Sequence, residues 1–261
     1  MLQKQRQQPL CAERELGYDA LILDEVDSTQ AHAMRKINEF ERPTWILARK
    51  QTDARGRRGR KWLEHPGNFA ATLILFPKEI QEEQALRSFV ASLALFETFV
   101  VKTGRESIFS LKWPNDVLLN GGKVAGILLQ TVKTIMGRDA LLIGVGVNLL
   151  IAPKADHLAE QAVNPVALFS ETGMKCSPEA FLSTLMKCYA RLEYQFQING
   201  FSSIREAWLD KASHLGEIVT ARLARQEIVG IFDTIDKKGH LVLQTAGGVK
   251  NIAAADVFFR V

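Results

Sequence analysis

Apolar and polar positions follow two regimes along this chain. Between residues 19 and 150, short apolar runs at 20–23, 44–48, 69–76, 108–111, 117–119, 124–131 and 140–147 are bounded by Gly, Pro, Asn or charged clusters. Runs of this length with such borders read as strands. Helical periodicity separates some of them. Asp27-Ser28-Thr29 is a helix-start signal with helix expected to residue 38, and residues 82–101 carry Leu86, Phe89, Leu93, Phe96 and Val100 on one face. Ser177-Pro178-Glu179 opens a long helix to about residue 198, with another over 201–212. After Gly216 the pattern changes to short strands at 218–223, 227–235, 241–244 and 249–252, with turns at Asp236-Lys237-Lys238-Gly239 and Ala246-Gly247-Gly248. The pattern predicts an α+β protein. A polar N-terminal segment (1–18) precedes a mixed sheet carrying helices (19–213), then a small β-barrel of about 45–50 residues (214–261).

Composition narrows the class. With 47% apolar and 24% charged residues in 261, the chain has ample material for a core. The net charge of +4 suits anionic substrates without demanding nucleic acid. Cys11, Cys176 and Cys188 are odd in number and widely spaced, which argues against a disulfide framework or structural zinc and fits a reducing cytoplasm. No apolar run approaches the ~18 residues of a membrane span, and the N-terminus has no apolar signal core. His32, His65, His157, His214 and His240 form no triad or metal-spaced pair.

Candidate chemistry concentrates in two stretches. Gln51 to Trp62 reads Gln-Thr-Asp-Ala-Arg-Gly-Arg-Arg-Gly-Arg-Lys-Trp, with five cations and two glycines in its last eight residues. Buried Arg and Lys are costly unless paired, and glycine lets backbone approach an anion closely. The stretch reads as a mobile loop that closes over negative charge; a nucleic-acid patch or a solvated face are the alternatives. The second stretch joins Lys112-Trp113-Pro114-Asn115-Asp116 to Lys123-Val124-Ala125-Gly126 through Asn120-Gly121-Gly122, a strong hairpin signal. Lys123, at the mouth of an apolar strand, is either a snorkelling edge residue or a fixed cation in a cleft.

These stretches, with Asp27-Ser28-Thr29-Gln30 before them and Gly144-Val145-Gly146-Val147-Asn148 after, resemble the biotin protein ligases in order and spacing from Asp27 to the C-terminus. One departure is visible: the family's loop usually reads Gly-Arg-Gly-Arg-Arg-Gly, and Ala54 stands for its first Gly, which would stiffen the loop entrance. The resemblance implies a catalytic domain like that of class II tRNA synthetases and an SH3-like C-terminal domain. It implies biotin and ATP as substrates with Mg²⁺, a biotinyl-5′-AMP intermediate, and transfer to a Lys of a biotin carboxyl carrier domain. It implies catalytic roles for Lys123 and Arg57. Biotin contacts fall to Ser28, Thr29, Gln30, Gln51, Arg55, Gly56, Arg57 and Lys123. Nucleotide contacts fall to Arg55, Arg57, Arg58, Trp62, Lys112, Asn115, Asp116, Lys123 and Asn148, and Asp116 is the candidate Mg²⁺ ligand.

For several residues chemistry leaves two roles open. Ser28 and Thr29 either cap their helix or reach biotin's ureido group. Trp62 stacks on adenine or anchors the loop. Lys112 meets phosphates or pairs with Asp116, and Asn148 reaches the nucleotide or serves a turn. Arg55 and Arg57 point to the same side if the loop is extended, while Arg58, Arg60 and Lys61 are less certain participants. A lipoate ligase or transferase is the competing enzyme reading; the Arg/Gly loop combined with Lys112–Asp116 stands against it. Some members of the family carry an N-terminal winged-helix domain of roughly 60 residues or more. Only about 26 residues precede the first helix start here, so a monofunctional ligase without operator or membrane binding is expected, with a homodimer left open.

Overall fold

The computed structural model describes residues 17–60, 62, 65–153, 163–223 and 226–259. A seven-stranded mixed sheet is built from β1 (Asp19–Leu23), β2 (Thr44–Ala48), β3 (Phe69–Leu75), β4 (Phe109–Lys112), β5 (Asp116–Leu119), β6 (Gly122–Lys133) and β7 (Asp139–Val147). Its order is β1-β2-β3-β7-β6-β5-β4, with β1 and β2 parallel and the other neighbours antiparallel. The expected hairpin joins β5 to β6, and Asn120 and Gly121 both take positive φ (49° and 78°), as a two-residue primed turn requires.

One face of this sheet is covered by α3 (Arg87–Thr103) and α5 (Pro178–Asn199), with α6 (Phe201–Asp210) beside them. Leu73, Ile127, Ile143 and Val145 meet the apolar sides of these helices in the main core. The other face carries α1 (Thr29–Arg35), which rests on β3 and β7 over a smaller cluster around Ala33, Ile46 and Leu142. The stretch Gln81–Thr103 is long and apolar enough to cross a membrane by composition, and most of it is buried in this core.

The helical expectations need three corrections. The helix expected to residue 38 ends at Arg35, followed by a separate 3₁₀ turn at Ile37–Glu39. The helix expected as one piece over 82–101 divides into α2 (Gln81–Gln84) and α3, joined without leaving the right-handed helical region through a tighter turn at Ala85 and Leu86, where the N–H groups of Leu86, Ser88 and Phe89 donate three residues back. The five-residue α4 (Leu168–Thr172) went unpredicted, since little more than one turn shows no periodicity.

The C-terminal part is a five-stranded antiparallel sheet of β8 (Ile218–Arg222), β9 (Glu227–Ile235), β10 (Leu241–Thr245), β11 (Gly248–Ile252) and β12 (Asp256–Phe259), ordered β11-β10-β9-β8-β12. Four strands match the expectation; β12, four residues long, was not expected. This sheet is fastened to the first part. Trp113 Nε1 donates to the Gly239 carbonyl at 3.0 Å. Gly239 has φ +80°, and a Cβ there would lie 2.8 Å from Phe89. Arg205 donates to Thr234 Oγ1 at 2.8 Å and to the Ile235 carbonyl. Cys176 and Cys188 are unpaired, and Cys11 and His157 lie outside the described residues.

Candidate active site

The sheet's register hollows out one of its faces. Gly126 on β6 lies opposite Gly146 on β7, which lies opposite Ala70 on β3; one step along, Gly144 lies between Leu128 and Thr72. Three adjacent strands therefore present hydrogen, hydrogen and methyl side by side, where large residues would fill the space. Above this floor opens a cavity of about 640 Å³. Every candidate site residue lines it except Arg58, whose side chain lies outside what the structure describes, as does Lys61.

Two side chains exploit the missing Cβ atoms. Trp62 lies across the glycines: a Cβ on Gly146 would sit 2.6 Å from its ring, and one on Gly126 3.3 Å. Its backbone N–H is held by the Ala54 carbonyl at 3.0 Å. Trp62 thus seats the basic loop on the floor. Gln30 occupies the second gap, where a Cβ on Gly144 would meet its Oε1 at 2.5 Å. Gly146→Ala should dislodge Trp62, and with it the loop, at a cost of about 1–3 kcal/mol typical of overpacking. Trp62 fluorescence and proteolysis of the loop would report this; an unchanged loop would show that the ring has another stable seat.

At one end of the cavity, Ser28 caps α1 by accepting from Ala31 N at 3.5 Å. The Thr29 amide donates to Gln51 Oε1 at 2.7 Å, and Thr72 Oγ1 donates to Thr29 Oγ1 at 2.8 Å. Gln30 Nε2 is buried and has no hydrogen-bond partner among the described residues. An orphaned buried donor costs about 1–3 kcal/mol, so this amide points to a ligand acceptor. Asn148 Oδ1 and Trp62 Nε1 are orphaned likewise, while Asn148 Nδ2 is used by the Val166 carbonyl at 3.1 Å.

The other end is charged. Lys123 Nζ lies 2.7 Å from Asp116 Oδ1, and Lys112 Nζ 3.8 Å from Oδ2. Burial by itself would raise the Asp116 carboxyl; Lys123 and Lys112 outweigh it and hold the group below the ordinary carboxylate range. Burial pushes the Lys112 ammonium down, against the pull of Asp116. Lys123 also faces the Trp62 ring, 5.8 Å from its centroid. A carboxylate bracketed by two ammonium groups does not fit a protein-held Mg²⁺, and the described residues contain no group of three or more His, Cys, Asp or Glu able to hold a metal. The charged neighbours of Asp116, the expected metal ligand, are thus Lys123 and Lys112.

Arg55 and Arg57 both line the cavity but hold different partners. A 3₁₀ turn at Arg57–Gly59 breaks the extended run; Arg55 pairs with Asp53 at 2.9 Å, and Arg57 Nη1 donates to Asn115 Oδ1 at 3.1 Å. Asn115 is fixed in turn by donating to the Ile127 carbonyl at 2.5 Å. Ala54 has no positive φ, so that position does not require glycine.

Comparison with known proteins decides the family. A biotin–[acetyl-CoA-carboxylase] ligase of Paracoccus denitrificans is 44% identical over 238 residues, 91% of this chain and 99% of that one. The chain belongs to the biotin protein ligase family. As a biotin protein ligase it is an ATP-dependent enzyme. The model of the biotin/lipoate A/B protein ligase family matches residues 23–148, and that of the biotin protein ligase C-terminal domain matches 214–260. The bifunctional ligase/repressor BirA of Bacillus subtilis is 29% identical over 247 residues, 93% of this chain and 74% of BirA. A biotin protein ligase from Aquifex aeolicus, solved in complex with biotin and ATP, superposes with a TM-score of 0.78 at 29% identity, covering 92% of this chain and 98% of that one.

The motifs of this biotin protein ligase left Thr72 and the β12 wall unnoticed. Thr72 is fully buried in an otherwise apolar strand, and its lone hydroxyl was the available signal. Asp256, Val257 and Phe258 line the cavity from β12, and nothing local in the sequence marks them.

Proposed function

We propose that this cavity forms biotinyl-5′-AMP and that the same site passes biotin to a carrier lysine. In the first step an oxygen of biotin's carboxylate attacks the α-phosphorus of ATP. The new C–O–P anhydride bond forms as the bond to the β-phosphate breaks, and pyrophosphate leaves. In the second, a deprotonated lysine amine attacks the acyl carbon and AMP departs with the bonding pair. The first step brings two anions together, so positioned cations and exclusion of water are its main requirements.

The observation that carries this reading is the Lys123–Asp116–Lys112 cluster beside Arg57, on the rim of a floor of glycines. Lys123, partly exposed to the cavity, bridges the biotin carboxylate and the α-phosphate, while Asp116 keeps its ammonium aimed. Arg57, steadied by Asn115, retains the adenylate. Ser28, Thr29, Gln30 and Gln51 form the ureido end, and the orphaned Gln30 amide supplies a donor. Arg55, Gly56, Arg58, Trp62 and Asn148 complete the nucleotide side, and Mg²⁺ arrives with ATP. The two units, 19–213 and 214–261, correspond in this reading to a class II tRNA-synthetase-like catalytic domain and an SH3-like domain. The acceptor is a carboxylase carrier domain and the setting is the cytoplasm, where Cys176 and Cys188 stay reduced.

Biotin-dependent exchange of labelled pyrophosphate into ATP is the test. Folded protein supplied with biotin, ATP and Mg²⁺ should catalyse it, and should label a purified carrier domain on one lysine. No exchange above the biotin-free background would end this reading.

A further inference from the structure

One contact ties the basic loop to the C-terminal sheet. Arg60 Nη2 donates to Asp256 Oδ2 at 2.5 Å, across 196 residues of sequence. The arginine is more than half exposed, whereas the carboxylate is largely covered at the start of β12, and both line the cavity. Asp256 is also among the charges felt by the buried Lys112. Farther along the same strand Phe259 holds this edge in position: it stacks on His214 with ring centroids 3.5 Å apart, and the Lys112 ammonium lies 5.5 Å from its ring centroid. A carboxylate is thus held on a braced strand at a cation-lined mouth, in contact with a loop arginine.

We infer that Asp256 is a placeholder anion: it occupies Arg60 in the ligand-free enzyme and yields it to the phosphates of the entering nucleotide. This rests on the reading of the cavity as the nucleotide site. The exchange is physically easy. An exposed ion pair is a weak tie, whereas a polyphosphate offers several acceptor oxygens and more charge. Once Arg60 has left it, the unmasked carboxylate also repels the bound polyphosphate. Asp256 therefore lowers nucleotide affinity and keeps the empty loop docked.

The test is binding of α,β-methylene-ATP with Mg²⁺ to the biotin-saturated enzyme by calorimetry, on wild type, Asp256→Asn, Arg60→Gln and the double variant. Asp256→Asn should tighten binding about two- to five-fold, the range an exposed pair supplies. In the ligand-free state its loop should be cut faster by trypsin after Arg60. In the Arg60→Gln background, Asp256→Asn should give a smaller gain, because the Arg60 pair no longer has to be broken and the repulsion is what the substitution relieves. Unchanged or weaker binding by Asp256→Asn, or an equal gain in both backgrounds, would overturn the placeholder role while leaving the nucleotide site standing. Absence of nucleotide binding by the wild type would overturn both.

Discussion

Lys123→Gln should slow biotin-dependent ATP–pyrophosphate exchange by about 10- to 150-fold, since a charge-assisted contact contributes roughly 1.5–3 kcal/mol. The geometry sharpens the expectation. Lys123 also neutralises Asp116 at 2.7 Å, so the substitution disturbs a buried carboxylate. Lys112 remains 3.8 Å from the other oxygen, and the glutamine amide can still donate to Asp116, which limits the structural cost. Exchange kinetics and urea unfolding should therefore separate, with a large kinetic loss and a small shift in midpoint. If exchange is unchanged, Lys123 bridges nothing. If the kinetic loss merely tracks a loss of folded protein, the ion pair serves the fold.

The largest effect on stability should come from Arg87→Met. Arg87 is 2% exposed, and its guanidinium binds Glu193 at 2.9 Å and Glu79 at 3.0 Å, over the Phe196 ring. Tyr189 and Gln197 donate the remaining hydrogen bonds to Glu193. Burial alone would lower the pKa of Arg87, but Glu193 outweighs it and the pKa is raised. Removing the cation strands a buried carboxylate among neutral donors. Losing one partner of a buried pair costs about 3–5 kcal/mol, and Glu193→Gln in the same chain should recover much of it. A loss under about 1 kcal/mol in urea unfolding would show that water already reaches Glu193.

The fold was readable wherever a run was long enough to show its period. Strands such as Phe69–Leu75 and the capped start of α5 at Ser177 announce themselves through local residues. The tightened turn at Ala85 and Leu86 does not, because no Gly, Pro or capping side chain marks it; nor does the buried pairing of Arg87, just past it, with Glu193, 106 residues away. The same distinction divides the site. Its charged half was legible, since cations and glycines crowded into eight residues have few structural uses. The floor was only half legible. The glycines at 126, 144 and 146 are visible in the sequence, but their alignment with Ala70 and Thr72 exists only once β3, β7 and β6 are in register. The β12 wall was invisible: Asp256 is an ordinary surface-type residue until folding brings Arg60 to it.

The glycine floor also limits how this enzyme can change. Every substitution at Gly144 or Gly146 adds at least a Cβ, and that atom would land within 2.6 Å of Gln30 or Trp62. A compound packed against Gln30 and Trp62 would thus meet two side chains whose seats on β7 cannot gain an atom without moving them. Resistance to such a compound would have to arise elsewhere, in the loop, around Ser28 and Gln51 or along β12. The floor is where an inhibitor would meet the fewest escape mutations.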